Sequence, residues 1–317
     1  MVEFPAGVDA ANWSQLSGGV ISELDRCFRY GDGLFETILF VDQEPVLFDE
    51  HISRLRRGAR ALALNYSVES APLLARCRAV IHADQNSDAS QNVVVRLQVS
   101  RGEGGRGYAP PVPPAPVREV ISCHLPPKIP SVLKLRMLDT RLMISRLLCG
   151  IKHCSRLEQV LAANELLVTN DVDGEDCWEG VMHDEFGFLT EGTRSNIIVE
   201  SNGRLLTPLL DRSGLRSTLL EALVALDDRD PDSVLATRMR LDQSGGLHIL
   251  DPEYNKAFLP VDQLPASAWT SCVLAGMAVC NSVMGLRAVN ALAGVDLPLS
   301  PKIAHLAVQL NKRLGYA

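Results

Sequence analysis

Apolar and polar residues alternate with two different periods over residues 1–126. At 93–99 the period is two, because Arg96 and Gln98 separate aliphatic residues, and this predicts a β-strand. From Asp49 onward apolar residues recur at helical spacing with arginines between them, which predicts a helix capped by Asp49 or Ser53. The same patterns predict strands at 37–41, 45–48 and 117–123 and a second helix at 71–82. Such a mixture indicates an α+β domain.

A proline-rich segment, PPKIP at 126–130, interrupts these patterns, because prolines end both helices and strands. We therefore predict a small N-terminal domain over 1–126, a linker at 127–131 and a larger C-terminal domain over 132–317. In the larger domain the patterns predict strands at 132–138, 177–183, 196–200, 204–207 and 271–279, and helices at 156–168, 215–226 and 300–314. The predicted fold class is α/β, of the α+β kind, with two domains.

Composition narrows the classes of partner. Hydrophobic residues make up 46% of the 317 residues, as in an ordinary globular protein, and the net charge of −7 argues against a nucleic-acid partner. The eight cysteines include no CxxC pair, and the histidines do not recur at ligand spacing, so we expect free thiols and no metal. There is no basic start followed by an apolar run and no stretch long enough to span a bilayer. We therefore expect a cytoplasmic protein without membrane contact.

One lysine has an unusual setting. Lysine occurs only six times, and Lys152 lies in CGIKHCSRLEQ, after apolar or small residues and before an amphipathic helix. Apolar neighbours desolvate an amine and lower its pKa, and the neutral amine is the form that attacks an aldehyde. From this local pattern alone, a surface lysine on a turn is the commoner interpretation.

Four motifs in sequence order give Lys152 a clearer context. They are YGDGLFETI at 30–38, HISRL at 51–55, IKHCSRLEQVLA at 151–162 and TEGTRSNI at 190–197. Together they resemble the fold-type IV pyridoxal-phosphate enzymes, a group that includes branched-chain and D-amino-acid aminotransferases and aminodeoxychorismate lyase. The resemblance implies a small α+β domain followed by a larger mixed α/β-barrel-like domain, pyridoxal 5'-phosphate as the cofactor, and a homodimer.

The resemblance also assigns cofactor-binding roles. Lys152 matches the Schiff-base lysine, Glu191 the carboxylate that pairs with the pyridinium nitrogen, and Arg54 the phosphate-binding arginine. On local pattern alone Glu191 is a glutamate in a hairpin turn, and Arg54 is one of several solvated arginines on its helix. Further expected cofactor contacts are Ser195, Asn196, Leu215 and Arg216, with Thr193 and Gly214 as additional phosphate donors. Arg216 and Arg194 depart from residues common in the aminotransferases.

Three features favour the lyase within this family: the Gly-rich RGEGGRGY segment with its proline run, the IKHCSRLEQVLA motif, and Thr37 together with Asn281. The implied reaction converts 4-amino-4-deoxychorismate to 4-aminobenzoate and pyruvate in folate synthesis. Lys152 would move the proton, Thr37 would assist the leaving group or orient the substrate, and Arg106 and Tyr108 would hold a substrate carboxylate.

Simpler interpretations of these substrate residues stay open. Arg106 would then belong only to a hairpin tip, and Asn281 would be a buried amide that satisfies nearby backbone. The alternative functions are a branched-chain or D-amino-acid aminotransferase of the same fold, and a non-catalytic binding protein on this scaffold.

Overall fold

A computed structural model describes residues 2–5, 21–83, 92–224 and 233–316. The chain divides into two compact units. The first consists of Met1–Pro127 and Ile151–Arg156, and the second of Lys128–Gly150 and Leu157–Ala317. The domain limits drawn from the sequence stay a prediction. The division into units assigns the segment that carries Lys152 to the first unit, although the predicted C-terminal domain, residues 132–317, contains it. Among the described residues, no helix is both long and apolar enough to cross a bilayer.

The first unit is an antiparallel five-stranded sheet with helices. Its strands lie in the order β1-β5-β4-β2-β3, and the apolar sides of two helices pack against the sheet through Ile38, Leu55 and Leu73. The elements are β1 (Val2–Pro5), α1 (Arg26–Tyr30), β2 (Gly33–Val41), β3 (Glu44–Pro45), α2 (Phe48–Ala61), α3 (Ser70–Ala83), β4 (Val93–Ser100) and β5 (Arg118–His124). The strands predicted at 93–99 and 117–123 and the helix predicted at 71–82 are confirmed.

The start of α2 differs from the prediction. The helix begins at Phe48, and the preceding residue, Leu47, has a left-handed backbone with φ of 54° and no side-chain cap. Capping by Asp49 or Ser53 is therefore wrong. Asp49 instead lies in the first turn, where a carboxylate stabilises the positive end of the helix dipole. The strand predicted at 45–48 is limited to Glu44–Pro45, because the chain enters the helix directly after this turn.

The segment Ile151–Arg156 pairs with the first half of β2. The Phe35 N–H donates to the Lys152 carbonyl oxygen at 3.0 Å, and the Cys154 N–H donates to the Gly33 carbonyl oxygen at 2.9 Å. The second half of that same edge, at Phe40 and Val41, pairs with β3. The backbone at Lys152 is thus held as a short extra strand of the first unit.

The second unit contains three sheets. Their strand orders are β11-β10-β9-β15-β16, β12-β13-β14 and β18-β17-β6-β7-β8. The strands are β6 (Lys134–Leu142), β7 (Glu179–Asp184), β8 (Leu189–Gly192), β9 (Asn196–Ser201), β10 (Arg204–Pro208), β11 (Val234–Thr237), β12 (Met239–Leu241), β13 (Leu247–Leu250), β14 (Trp269–Cys272), β15 (Gly276–Asn281), β16 (Gly285–Ala288), β17 (Ala291–Leu292) and β18 (Val295–Asp296). The helices are α4 (Leu157–Asp173), α5 (Thr218–Val224) and α6 (Pro301–Leu314).

Two predictions for this unit need correction. The single strand predicted at 271–279 is wrong, because β14 ends at Cys272 and β15 begins at Gly276, in a different sheet. Gly276 allows a close approach there, since a Cβ at this position would lie 2.5 Å from the Cβ of Ser300. The helix predicted from 215 begins at Thr218, because the Ser217 hydroxyl accepts the Leu220 N–H and caps it. Residues 225 and 226 lie outside the described residues.

Candidate active site

Lys152 lies against one face of the first unit's sheet. Its side chain is half-buried, and Nζ is 4.3 Å from the centroid of the Phe35 ring. Alternate residues of a strand point to the same face, so Thr37 shares the face of Phe35. The Arg96 guanidinium stacks on the same ring at 4.3 Å. This face therefore collects an amine, a hydroxyl and a guanidinium around one aromatic ring.

The opposite side of β2 carries a buried ionic cluster. The Glu36 carboxylate accepts two hydrogen bonds from Arg54, Nε to Oε1 at 2.9 Å and Nη2 to Oε2 at 2.6 Å. It also accepts one from His51 Nδ1 at 2.7 Å. All three side chains are at most 3% exposed. Arg54 is therefore a buried, ion-paired residue, and its interpretation as a solvated arginine is wrong.

Electrostatics fix the protonation of this cluster. Burial alone would raise the pKa of Glu36, but the Arg54 charge and the hydrogen bonds from Arg54 and His51 lower it far below its ordinary value. Burial lowers the pKa of His51 in spite of Glu36, so the ring is neutral and donates from Nδ1. In the part of the chain that the structure describes, His51 Nε2 has no hydrogen-bond partner.

Helical periodicity explains why Arg54, and no other arginine of α2, enters this cluster. Arg54 lies on the buried side of α2 together with Leu55 and Gly58, whereas Arg56 and Arg60 are exposed. Residues three and four positions apart share one side of a helix, and this side faces β2. The motif HISRL therefore places both His51 and Arg54 opposite Glu36.

In the second unit, Glu191 is a buried strand residue of β8 with 5% exposure, so its interpretation as a turn glutamate is wrong. Its Oε2 accepts the Leu215 N–H at 2.7 Å. The Asn196 side chain binds the same loop twice, since Nδ2 donates to the Leu215 carbonyl oxygen and the Ser217 N–H donates to Oδ1, both at 2.7 Å. The structure thus brings together Glu191, Asn196 and Leu215.

Gly214 lets this loop approach Glu191. It has a φ of 79°, and a Cβ there would lie 2.7 Å from Thr190 Cγ2 and 3.2 Å from Glu191 Oε2. Any side chain would therefore combine a strained left-handed backbone with close contact. The following residue, Arg216, is near Cys149, where burial raises the thiol pKa to about 11 and the charge of Arg216 opposes the shift.

Ser195 and Thr193 are organised around Glu179, a residue that the sequence analysis did not select. The Ser195 hydroxyl donates to Glu179 Oε2 at 2.8 Å, and the Thr193 hydroxyl donates to Oε1. Burial raises the pKa of Glu179, although Thr193, Arg194 and Ser195 act in the opposite direction. Arg194 also stacks on Trp178 at 4.4 Å. The cofactor role of Ser195 stays a prediction. The only local sequence signal that could have identified Glu179 was its position as an acidic residue inside the apolar strand WEGVM.

Asn281 stabilises local backbone. Its Nδ2 donates to the Arg194 carbonyl oxygen at 3.0 Å, and its Oδ1 accepts the N–H groups of Val283 and Met284, both at 2.9 Å. This is the arrangement of a side-chain amide that satisfies nearby backbone. Its role in substrate binding stays a prediction.

Arg106 and Tyr108 lie exposed on the loop after β4. Arg26 holds this loop, because its guanidinium donates to the carbonyl oxygens of Tyr108 at 2.8 Å and Ala109 at 3.1 Å. The Tyr108 ring packs 5.4 Å from that of Tyr30 while staying 86% exposed. Contact of Arg106 and Tyr108 with a substrate carboxylate stays a prediction. Within the described ranges, His, Cys, Asp and Glu side chains form no group of three or more suited to a metal ion.

Comparison with known proteins places the chain in a family. The model of the amino-transferase class IV family matches residues 33–235, and the chain belongs to this family. The fold class and the pyridoxal-phosphate cofactor expected from the sequence are thereby confirmed.

Individual relatives are similar over different lengths. An aminodeoxychorismate lyase of Vibrio harveyi is 24% identical over 90% of this chain and 94% of its own length. A putative branched-chain-amino-acid aminotransferase of Methanocaldococcus jannaschii is 28% identical over 65% of this chain and 69% of its own. The crystal structure of 4-amino-4-deoxychorismate lyase from Pseudomonas aeruginosa has a TM-score of 0.73 and 28% identity, covering 99% of this chain and 100% of that one.

Proposed function

We propose that this chain is a pyridoxal-phosphate-dependent 4-amino-4-deoxychorismate lyase that releases pyruvate and 4-aminobenzoate. The observation that carries the proposal is the end-to-end similarity to the Pseudomonas lyase, with coverage of 99% and 100%. The lyase of Vibrio harveyi also matches over 94% of its length. The Lys152 amine and the Thr37 hydroxyl on one sheet face supply the groups that this reaction needs.

The residues present suit the cofactor. Lys152 would hold it covalently, and Arg54 would neutralise part of its phosphate charge. The buried Glu191 carboxylate would accept the N–H of the pyridinium ring, and Gly214 lets the loop that donates the Leu215 N–H pack against that carboxylate. When bound, the cofactor withdraws electrons from the substrate carbon that bears the amine.

Four residues on the sheet face have distinct tasks. The Lys152 amine accepts the proton from the ring carbon that carries the substrate amine, and the Phe35 ring shields it from water. As the bond between the ring and the enolpyruvyl oxygen breaks, the Thr37 hydroxyl donates a hydrogen bond to that oxygen. The leaving group takes up one proton and becomes pyruvate. Arg96 would hold a substrate carboxylate, since guanidinium and carboxylate pair in a fixed geometry.

The enzyme would act as a homodimer in the cytoplasm. Six large apolar side chains of α4 are more than half exposed, and exposed apolar patches of this kind mark interfaces. These are Leu157, Val160, Leu161, Leu167, Val168 and Val172. None of the eight cysteines, all within the described residues, forms a disulfide, as is usual in a reducing compartment. Light scattering on the purified protein tests the dimer, and a Val168→Asp variant should shift it toward monomer.

Product analysis tests the proposed reaction. Purified enzyme with 4-amino-4-deoxychorismate and no 2-oxo acid should give 4-aminobenzoate and pyruvate in equal amounts. Borohydride should attach the cofactor irreversibly to the peptide containing Lys152, and Lys152→Ala should lose both properties. If glutamate forms from 2-oxoglutarate and an amino acid while no 4-aminobenzoate appears, the chain is an aminotransferase. If neither activity nor attachment occurs, it is a non-catalytic binding protein.

A further inference from the structure

The loop between β4 and β5 carries two predicted substrate residues whose own side chains do little to fix it. Arg106 and Tyr108 are exposed, and Arg106 stands between Gly105 and Gly107, which have φ values of 79° and 60°. Glycine adopts a wider range of backbone conformations than any other residue. A loop of this kind therefore keeps one conformation only when another group holds it.

Arg26 is the group that holds the loop. Its side chain is only 4% exposed, although it is charged. Nη2 donates to the Tyr108 carbonyl oxygen at 2.8 Å, and Nη1 shares its hydrogens among the carbonyl oxygens of Gly104, Gly107 and Ala109 at 3.2, 3.3 and 3.1 Å. These acceptors both precede and follow the predicted substrate arginine in the chain, so one guanidinium fixes the loop on either side of it.

Asp32 anchors the other edge of the same guanidinium. Its Oδ2 accepts Arg26 Nε at 2.9 Å and Arg101 Nε at 2.8 Å. Burial alone would raise the pKa of Asp32, but the hydrogen bonds and charges of Arg101 and Arg26 lower it, so the carboxylate is ionised at neutral pH. The Tyr30 ring lies 5.1 Å from the Arg26 guanidinium. Arg26 is therefore held by an ion pair and a ring while it binds the loop.

The loop leaves room for this contact at Gly105. A Cβ there would lie 2.1 Å from the Ala109 carbonyl oxygen and 3.1 Å from Arg26 Nη1. A side chain at this position would collide with backbone and push the loop away from the guanidinium. The close approach of Arg26 thus requires glycine at position 105.

We propose that Arg26 is a positioning residue for the substrate, which holds Arg106 and Tyr108 in the conformation that binds a substrate carboxylate. This role rests on the proposed lyase function and on the carboxylate contact expected for these two residues. Arg26 acts through the loop rather than on the substrate, because its nitrogens are taken up by Asp32 and the loop carbonyls. Without Arg26 the substrate would have to order the loop as it binds, and this entropy cost weakens binding without altering the chemical step.

Steady-state kinetics with 4-amino-4-deoxychorismate test the proposal. Arg26→Gln should raise KM about tenfold or more, while kcat stays within about threefold of the wild type. Arg26→Lys should recover part of the loss, because one ammonium cannot reach Asp32 and all the loop carbonyls at once. Arg101→Gln is the matched control, since Arg101 also binds Asp32 but its other side-chain acceptors, Leu62 and Ala63, lie outside the loop. Its KM should stay that of the wild type.

Limited trypsin digestion of the holoenzyme follows the loop without any turnover. Cleavage after Arg106, identified by mass spectrometry, should be at least about fivefold faster in Arg26→Gln than in the wild type, because a released loop fits a protease more readily. Arg101→Gln should be cleaved there at the rate of the wild type. If the wild type forms no 4-aminobenzoate, the proposed function fails, and this assay still decides whether Arg26 holds the loop.

Three results would overturn the proposal: an unchanged KM in Arg26→Gln, an equal rise in Arg101→Gln, or equal cleavage after Arg106 in the wild type and Arg26→Gln. A parallel loss of kcat and cofactor affinity would also contradict it, because that pattern indicates general damage rather than a displaced loop. If Arg26→Gln fails to fold, Gly105→Ala decides in its place. It displaces the loop while keeping the buried arginine, and it should raise KM and speed the cleavage in the same way.

Discussion

The buried cluster around Glu36 allows a quantitative prediction. Glu36→Gln keeps the shape of the side chain but removes its charge, which leaves the Arg54 guanidinium, 3% exposed, without its carboxylate partner. Removing one member of a buried ion pair costs about 3–5 kcal/mol, because the remaining charge is not solvated. We therefore expect the free energy of unfolding to fall by an amount in this range.

A matched variant in the same unit isolates the effect of burial. Glu44 pairs with Arg78 at 2.7 Å, a distance close to that of the Glu36 pair, but its side chain is 75% exposed and that of Arg78 is 38% exposed. Exposed pairs contribute about 0–1 kcal/mol, so Glu44→Gln should barely change stability. Urea unfolding at neutral pH, followed by circular dichroism and extrapolated to water, measures both variants.

The pH dependence gives a second test of the same reasoning. The pKa of Glu36 in the folded protein lies below its ordinary value of 4.5, so the folded state favours the ionised form. Its contribution is fully present above the ordinary pKa and decreases as the pH falls below it. The stability difference between wild type and Glu36→Gln should therefore shrink on acidification. If Glu36→Gln costs no more than Glu44→Gln, or if the difference does not depend on pH, the account of this cluster is refuted.

Three other variants have defined outcomes. Gly214→Ala should lose about 1–3 kcal/mol of unfolding free energy and weaken cofactor binding, whereas Gly203→Ala, with a similar φ of 71° but no atom within 4 Å of its Cβ, should lose less. Equal losses would show that contact with Glu191 is unimportant. Asn281→Ala should lower stability by about 1–3 kcal/mol, because three backbone groups lose a partner; unchanged urea unfolding would contradict this. Thr37→Ala should reduce lyase turnover while cofactor affinity, measured by absorbance titration, stays the same; an unchanged turnover removes Thr37 from the mechanism.

Sequence periodicity predicted elements where burial alternates regularly. In β4 the two polar residues Arg96 and Gln98 are half-buried and the aliphatic residues between them are buried, so the strand at 93–99 could be predicted. The apolar run at 271–279 misled the same reasoning. It contains β14 and β15, which belong to separate sheets, and an apolar run alone does not report where the chain changes sheet.

The site shows a similar limit. The motifs singled out Arg54 and Glu191, and the structure buries both. They gave no indication of Glu36 as the partner of Arg54, because the two residues are 18 positions apart and meet only when α2 packs on β2. Glu179 and Arg96 were missed for the same reason. Their partners are set by tertiary packing, which no local pattern contains.

The pairing of residues 151–156 with β2 has a consequence for dissecting this protein. The chain passes between its two units after residues 127, 150 and 156, so no single cut separates them. A fragment that ends at the proline-rich segment would lack the strand that covers Gly33 and Phe35, and their backbone groups would form an open edge. Open edges pair with other chains, so such a fragment should aggregate. Adding a synthetic peptide that spans residues 151–156 should suppress this aggregation.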